Sequence, residues 1–410
     1  MSPTNMINWQ DQNNSQHQVD VCIDNYDSPE EFADTHSGST VLMYVTNENY
    51  LLDGYRLNFF LECIRIMKRR NQTLILFAHN YFKYKHIDFG CQTIYYDWFV
   101  RHIYDSFYVR TTQRNTHWNP ANSKFIFLTG ALNKIQRCKL LYKLHEAGAL
   151  DHAIYSCFYK PEYESYVREI VPEVDPTWFA EMSQSPDVPQ TAKFNTEVNR
   201  NAYGSPQSGF PGRYAEMATQ SKFAVVSESD FNDYDPIEEK WHTEFDKLAG
   251  TDWVRSDLPT FLQQIETEFP DTHKWFKTEF HRPHITEKTL MPIVNRLPFI
   301  IAGDRSILLS LQEQGYVTYD QFLKRPYDLE KKWERILAVT DCATHWLELA
   351  HNKEIEQSVE HNYQNFMRIR AKDEASIMQV CEQLGLDPTY ENGKRILPVW
   401  SLYENKNPTS

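Results

Sequence analysis

The sequence predicts an α/β protein with two parallel sheets and a helical C-terminal segment. Three features carry that expectation. Short apolar runs of strand length alternate with segments of helical period, the order that builds parallel sheets. This happens in two separate stretches, divided by the polar, turn-rich segment 110–123 (RTTQRNTHWNPANS). From about 329 to 384, charged and apolar positions interleave at helical spacing with no strand-like run between them.

Taken in order, residues 1–38 are polar and acidic and are expected to form a flexible tail. They lack the basic-then-apolar order of a secretory signal. Residues 41–46 (VLMYVT) have strand length. Residues 52–69 set Leu57, Phe60, Leu61, Ile64 and Met67 at helical spacing, and 73–78 (TLILFA) complete a strand–helix–strand unit. TIYY at 93–96 is a further strand leading into a helix over 97–104. The second stretch opens with a strand at 124–128 (KFIFL), a Thr129-Gly130 loop, and a helix over 133–147 stopped by Gly148. A strand at 153–158 follows, then a long excursion rich in Pro, Ser, Gly, Asn and Gln over 160–220. KFAVV at 222–226 and PFIIA at 298–302 have the character of buried strands, and 305–314 is a helix closed by Gly315. The expected organisation is a first α/β domain over 39–122, a second over 123–325 with an acidic insertion at 228–279, and a helical segment over 326–410.

With 410 residues, 41% apolar and 14% aromatic, the chain can bury a substantial core and exceeds one ordinary domain. The formal net charge of −14 argues against coating nucleic acid by bulk electrostatics, although Lys68-Arg69-Arg70 and 110–114 could supply a local groove. The segment 228–279 holds 14 acidic and 5 basic residues, the pattern of a solvated lobe. No run of apolar residues reaches membrane-spanning length. The seven cysteines are scattered with no CxxC pair, which predicts reduced thiols in a cytoplasm rather than disulfides or zinc.

Ligands of parallel sheets settle beyond the carboxyl ends of the strands, which directs attention to the loops after Thr46, Ala78, Tyr96, Leu128, Val226 and Ala302. The most informative segment is FHRPHITEKTLMPIVNRLPFIIAG at 280–303: a basic, His-rich loop, then Thr286-Glu287-Lys288, a helix and a buried strand. Pro292 is tolerated without a lost hydrogen bond only in a first helical turn. Thr289 as N-cap satisfies this; a helix that starts earlier and is kinked is the alternative. In either case free N–H groups, the helix dipole and a lysine converge on one loop, the makings of a phosphate site, and a neighbouring carboxylate can accept ribose hydroxyls. The spacing equally fits a Glu287 that only complements the dipole and a Lys288 in water. A second anion site is offered by Gly130 with Lys134 and Arg137, which share a helical face. Ser227-Glu228-Ser229-Asp230 supplies polar groups at another strand end, or a simple cap.

KFAVVSESDF followed by HITEKTLMPIVNRLPFIIAG resembles the donor-binding half of the inverting α1,3/α1,4-fucosyltransferase family, and KFIFLTGALNKIQRCKLLYKLHEAGALDHAIYSCFY resembles the opening of the same domain. A closer likeness is to phage-type glycosyltransferase-like proteins, which share the Thr-Gly loop, the Arg on the next helix, the Thr-Glu-Lys-Thr element and a turn matching Gly315-Tyr316-Val317-Thr318-Tyr319. The likeness covers about 124–160 and 221–325. It implies two Rossmann-like domains facing a cleft (the GT-B arrangement) and a glycosyltransferase using a nucleotide-diphosphate sugar. It further implies that Glu287 holds the ribose, that Lys288 and Arg137 hold the diphosphate, and that Glu228 lines the donor pocket. Thr286, Lys134, Arg282, His281 and His284 are further candidates for donor contacts from their places in these two segments. His284 stands where the family has Tyr, and Ser227 where it has Phe.

Breaking a glycosyl–phosphate bond develops negative charge on the diphosphate, which Arg137 and Lys288 could stabilise with no metal or other cofactor. The acceptor hydroxyl needs a general base. Asp97 is the favoured candidate, with Glu48 and His79 at the ends of neighbouring strands. The acceptor could be a glycan, a small molecule, a protein or a modified nucleic-acid base. The alternative expectation is an inactive relative that binds sugar nucleotide, or a structural, virion-associated protein.

Overall fold

The computed structural model describes residues 16–20, 26–36, 39–44, 54–79, 89–96, 118–132, 134–183, 210–228, 285–324, 326–328, 331–383, 390–391 and 394–395. The acidic insertion beyond Glu228 and the helix expected over 97–104 lie outside them. The protein is α/β with parallel sheets, as its sequence predicts. It divides into two compact units: one takes the described residues up to 96 and from 369 onward, the other those from 118 to 368. The division falls inside the C-terminal helical segment rather than before it.

In the first unit, strands β1 (Gln16–Asp20), β2 (Thr40–Tyr44), β3 (Thr73–His79) and β4 (Gln92–Tyr96) lie in sequential order, all parallel. Helices α1 (Pro29–Thr35) and α2 (Gly54–Arg69) pack against one another. Val41 pairs with Leu74 and Met43 with Leu76, so these side chains share a face of the sheet with Ala78. That face meets Phe32 of α1 and Phe60, Ile64 and Met67 of α2 in one buried cluster. The expectation of a flexible tail over 1–38 is corrected here, because β1 and α1 fall within it. Ser28 caps α1 by accepting from the Glu31 N–H (3.1 Å), Pro29 opens the helix, and the Glu31 carboxylate accepts from the Asp27 N–H (2.8 Å).

The second unit contains β5 (Lys124–Ala131), α3 (Ile135–Glu146), β6 (Ala153–Phe158), α4 (Glu164–Ile170), α5 (Pro176–Met182), α6 (Phe210–Thr219), β7 (Ser221–Ser227), α7 (Glu287–Val294), β8 (Phe299–Ala302) and α8 (Ile307–Glu313). Helix α9 (Lys332–Glu348) follows, and then the first half of α10 (Lys353–Gln383). The sheet is parallel in the order β6-β5-β7-β8. From β5 the chain steps to one side for β6, and from β7 it steps to the other for β8, so the strand order reverses between β5 and β7. Every residue of β7 and β8 is buried.

An aromatic chain ties α9 to this sheet. Phe125 stacks on Phe223 (5.0 Å between ring centroids), Phe223 meets Trp346 (5.6 Å), Trp346 meets Tyr319 (5.7 Å) and Tyr319 meets Phe299 (5.2 Å). The single helical stretch expected from 329 to 384 is interrupted, because the Lys222 ammonium leaves β7 to donate to the Leu347 carbonyl (2.9 Å) and Asn352 opens α10 by accepting from the Glu354 N–H (2.8 Å). The Gly315–Tyr319 turn has a packing role. Asn362 of α10 accepts from the Val317 N–H (2.7 Å) and donates to its carbonyl (2.9 Å), as a neighbouring strand would. Gly315 has φ 85°, and a Cβ there would press on Asn365 at 3.2 Å.

Tyr327 is buried and accepts from the Ile301 N–H of β8 (3.0 Å); burial holds its hydroxyl pKa well above the ordinary value. Tyr327→Phe leaves that buried N–H without an acceptor, so it should cost about 1–3 kcal/mol in urea unfolding while leaving the fold intact.

Candidate functional site

The carboxyl ends of β5, β7 and β8 carry most of the residues singled out from sequence, at the place where the strand order reverses and where open α/β sheets bind ligands. β5 runs past its expected end to Ala131, with its register against β6 shifted between Leu128 and Gly130. Gly130 takes a left-handed φ of 67°, and Thr129 anchors the bulge by donating to the Ser156 carbonyl (3.2 Å). Arg137, in the first turn of α3, is 8% exposed, and its guanidinium lies 3.9 Å from where a Gly130 Cβ would stand. Lys134 is the N-cap of α3 and is partly buried.

Helix α7 starts at Glu287 with Thr286 as N-cap, so of the two starts open from sequence the earlier one holds, and Thr289 is not the cap. Pro292 therefore sits inside the helix and removes the hydrogen bond that the Lys288 carbonyl would accept. Glu287 and Lys288 are not splayed into solvent: the Lys288 ammonium meets the Glu287 carboxylate at 2.8 Å, with the two side chains 17% and 11% exposed.

Glu228 differs from its expected role. It is fully buried, and both carboxylate oxygens are engaged by α7: one accepts from the Thr286 N–H (3.1 Å) and the Thr289 hydroxyl (2.6 Å), the other from the Thr286 hydroxyl (2.6 Å). Its own N–H donates to the Ala302 carbonyl (2.9 Å), and its carbonyl accepts from the Gln136 amide (3.1 Å). A side chain enclosed in this way supports the site from behind rather than lining a pocket. It also engages part of this helix start, because the Thr286 N–H faces Glu228 and the Lys288 N–H faces the Thr286 hydroxyl (3.3 Å).

Sequence reasoning passed over several neighbours. A Cβ at Gly303 would stand 3.3 Å from the Glu228 Cβ and 2.5 Å from the Ile307 Cδ1, so the loop after β8 lies close against Glu228. Asp304 is buried beside it in the chain. Tyr163 is buried after β6, with the Lys160 ammonium 5.8 Å from its ring centre, and desolvation raises its hydroxyl above the ordinary value while Lys160 and Arg137 pull the other way. The Gln136 Oε1 and Ser227 Oγ are buried with no hydrogen-bond partner. A Gly directly after FIIA and a Gln beside Arg137 were the available signals; nothing in the sequence marked Tyr163.

Arg282, His281 and His284 lie outside the described residues, as do Asp97 and Glu48. His79 ends β3 in the other unit, described by its backbone alone. Asp233-Tyr234-Asp235 has the spacing of a metal-binding carboxylate pair, which the expectation of metal-free chemistry overlooks, and it too lies outside the described residues. Among the described residues no helix is long and apolar enough to cross a membrane. No family model, curated protein or solved structure matches the chain.

Proposed function

We propose that this chain is a glycosyltransferase whose second unit binds a nucleotide-diphosphate sugar. The observation that carries the reading is that Glu228, buried at the end of β7 where the strand order reverses, bonds both to Gln136, the neighbour of Arg137, and to Thr286, the neighbour of the paired Glu287 and Lys288. Lys288 and Arg137 meet the diphosphate, and Glu287 accepts the ribose hydroxyls, exchanging part of its contact with Lys288 for them. In the reaction the acceptor oxygen bonds to the anomeric carbon as the bond from that carbon to the diphosphate oxygen breaks. The acceptor's proton passes to a base, with Asp97 the favoured candidate, and the two cations stabilise the departing diphosphate. Inversion, a GT-B arrangement with the first unit on the acceptor side, independence from metal and a cytoplasmic location belong to the same proposal.

Isothermal titration against a panel of nucleoside diphosphates, in chelator and again in magnesium, tests the donor site. Binding in the millimolar range or tighter by one of them is expected, and no binding by any rejects the reading. A second reading, a binding module without turnover, draws on Ser227 and His284, which replace the aromatic residues of the family that the sequence resembles. It predicts tight nucleotide binding with neither hydrolysis nor transfer when donor and acceptor mixtures are screened by mass spectrometry.

A further inference from the structure

Glu228 is bonded to four elements at once: it continues β7, holds β8 through Ala302, α3 through Gln136 and α7 through Thr286 and Thr289. We infer that Glu228 is a positioning residue that sets the two phosphate-binding cations, Arg137 and Lys288, in register with each other. The inference rests on the donor-site reading proposed above and assigns Glu228 no contact with the ligand.

Proton directions link Glu228 to Lys288. All three partners on α7 donate to the Glu228 carboxylate. The Thr286 hydroxyl gives its single proton to Glu228 (2.6 Å) and turns its lone pairs away from it. Those lone pairs receive the Lys288 N–H at 3.3 Å and stand 3.4 Å from the Lys288 ammonium. The Glu228 carboxylate, as acceptor, thereby fixes the polarity of Thr286, and Thr286 in turn fixes the turn that aims Lys288. On the other side the Glu228 carbonyl holds the amide of Gln136, the residue next to Arg137 in the first turn of α3. The loop at Gly303 lies close against the Glu228 Cβ, so the strut has little room to tilt. Buried hydrogen bonds of this kind stiffen the elements they join, and such stiffness keeps ligand-binding groups in place.

Glu228→Gln preserves the shape and breaks the polarity, because its amide must donate where a carboxylate oxygen accepted. Thr286 would then have to turn its proton toward the Lys288 ammonium. Thr289→Val removes one hydroxyl donor at nearly constant volume, and Thr289→Ser restores it. Using the full chain and the nucleoside diphosphate that binds best, Thr289→Val and Glu228→Gln should each weaken affinity on the order of tenfold, while Thr289→Ser stays within about twofold of the parent. Trp346→Phe, which lowers stability through contacts with Phe223, Tyr319 and Phe322 and bonds neither Glu228 nor its partners, should keep parental affinity, which separates positioning from general loss of stability. The strut is overturned if Thr289→Val and Glu228→Gln fold and bind like the parent, or if Thr289→Ser is as impaired as Thr289→Val. A parent chain that binds no nucleoside diphosphate overturns the donor-site reading and the strut together.

Discussion

Replacing Arg137 and Lys288 by alanine, singly and together, should weaken nucleoside-diphosphate binding by roughly 10–100-fold each, with transfer falling further than binding. The first part follows from the charge-assisted bonds a cation makes to phosphate in a partly dry site. Arg137 is 8% exposed, and the Lys288 side chain is 17% exposed, so neither works through the full screening of bulk water. The second part follows from timing: negative charge grows on the diphosphate as the glycosyl bond breaks, so the same cations are worth more in the transition state than in the bound ground state. Titration calorimetry measures the first loss and single-turnover transfer the second. Equal losses in both would mean that the cations bind the donor without assisting its cleavage. Lys288→Ala also leaves the Glu287 carboxylate without its 2.8 Å partner, so part of its effect should persist as lowered stability in the absence of nucleotide.

The largest expected effect on stability is that of Trp346→Ala. Trp346 is 1% exposed and touches Phe223 and Tyr319, and its indole N–H donates to the Phe322 carbonyl (3.1 Å). Truncation empties the middle of the aromatic chain that fixes α9 to the sheet and strands a buried carbonyl. Large aromatic deletions of this kind cost about 3–5 kcal/mol. For a unit of this size that corresponds to a fall of about 10 °C in melting temperature, to be followed by circular dichroism. Trp346→Phe, which keeps a ring against Phe223 and Tyr319, should recover about half of the loss. A melting temperature unchanged by Trp346→Ala would mean that α9 contributes little to holding the sheet.

Much of the sheet scaffold was legible in the sequence because its strands are built on short apolar runs. β7 and β8 are buried at every position, and such runs stand out from their surroundings. β1 was not legible, since Gln16-His17-Gln18-Val19-Asp20 has neither apolar character nor alternation and is defined by its pairing with β2. The Ser28-Pro29-Glu30-Glu31 start of α1 was a readable signal, passed over because its surroundings are polar. Within the site, the placing of Arg137 near the start of the helix after β5 could be anticipated from spacing, whereas the ion pair of Glu287 with Lys288 could not, since the same spacing fits a Lys288 in water. The start of α7 could not be settled, because local rules weigh the cost of an internal proline but not the three bonds that Glu228 returns to Thr286 and Thr289 from 58 and 61 residues away. Long-range partners of this kind are invisible to periodicity, and they are what decides the role of Glu228.

One consequence of the enclosed carboxylate concerns how an anionic ligand arrives. Glu228 and Glu287 offset Arg137 and Lys288 one for one, and the chain as a whole carries −14. On the donor-site reading proposed above, the bulk charge of the chain does not draw a diphosphate inward from beyond a Debye length, in contrast to proteins that steer polyanions by net positive charge. Dissolved electrolyte, by shielding that acidity, is then expected to quicken arrival instead of slowing it, which nucleotide association rates at increasing salt would test.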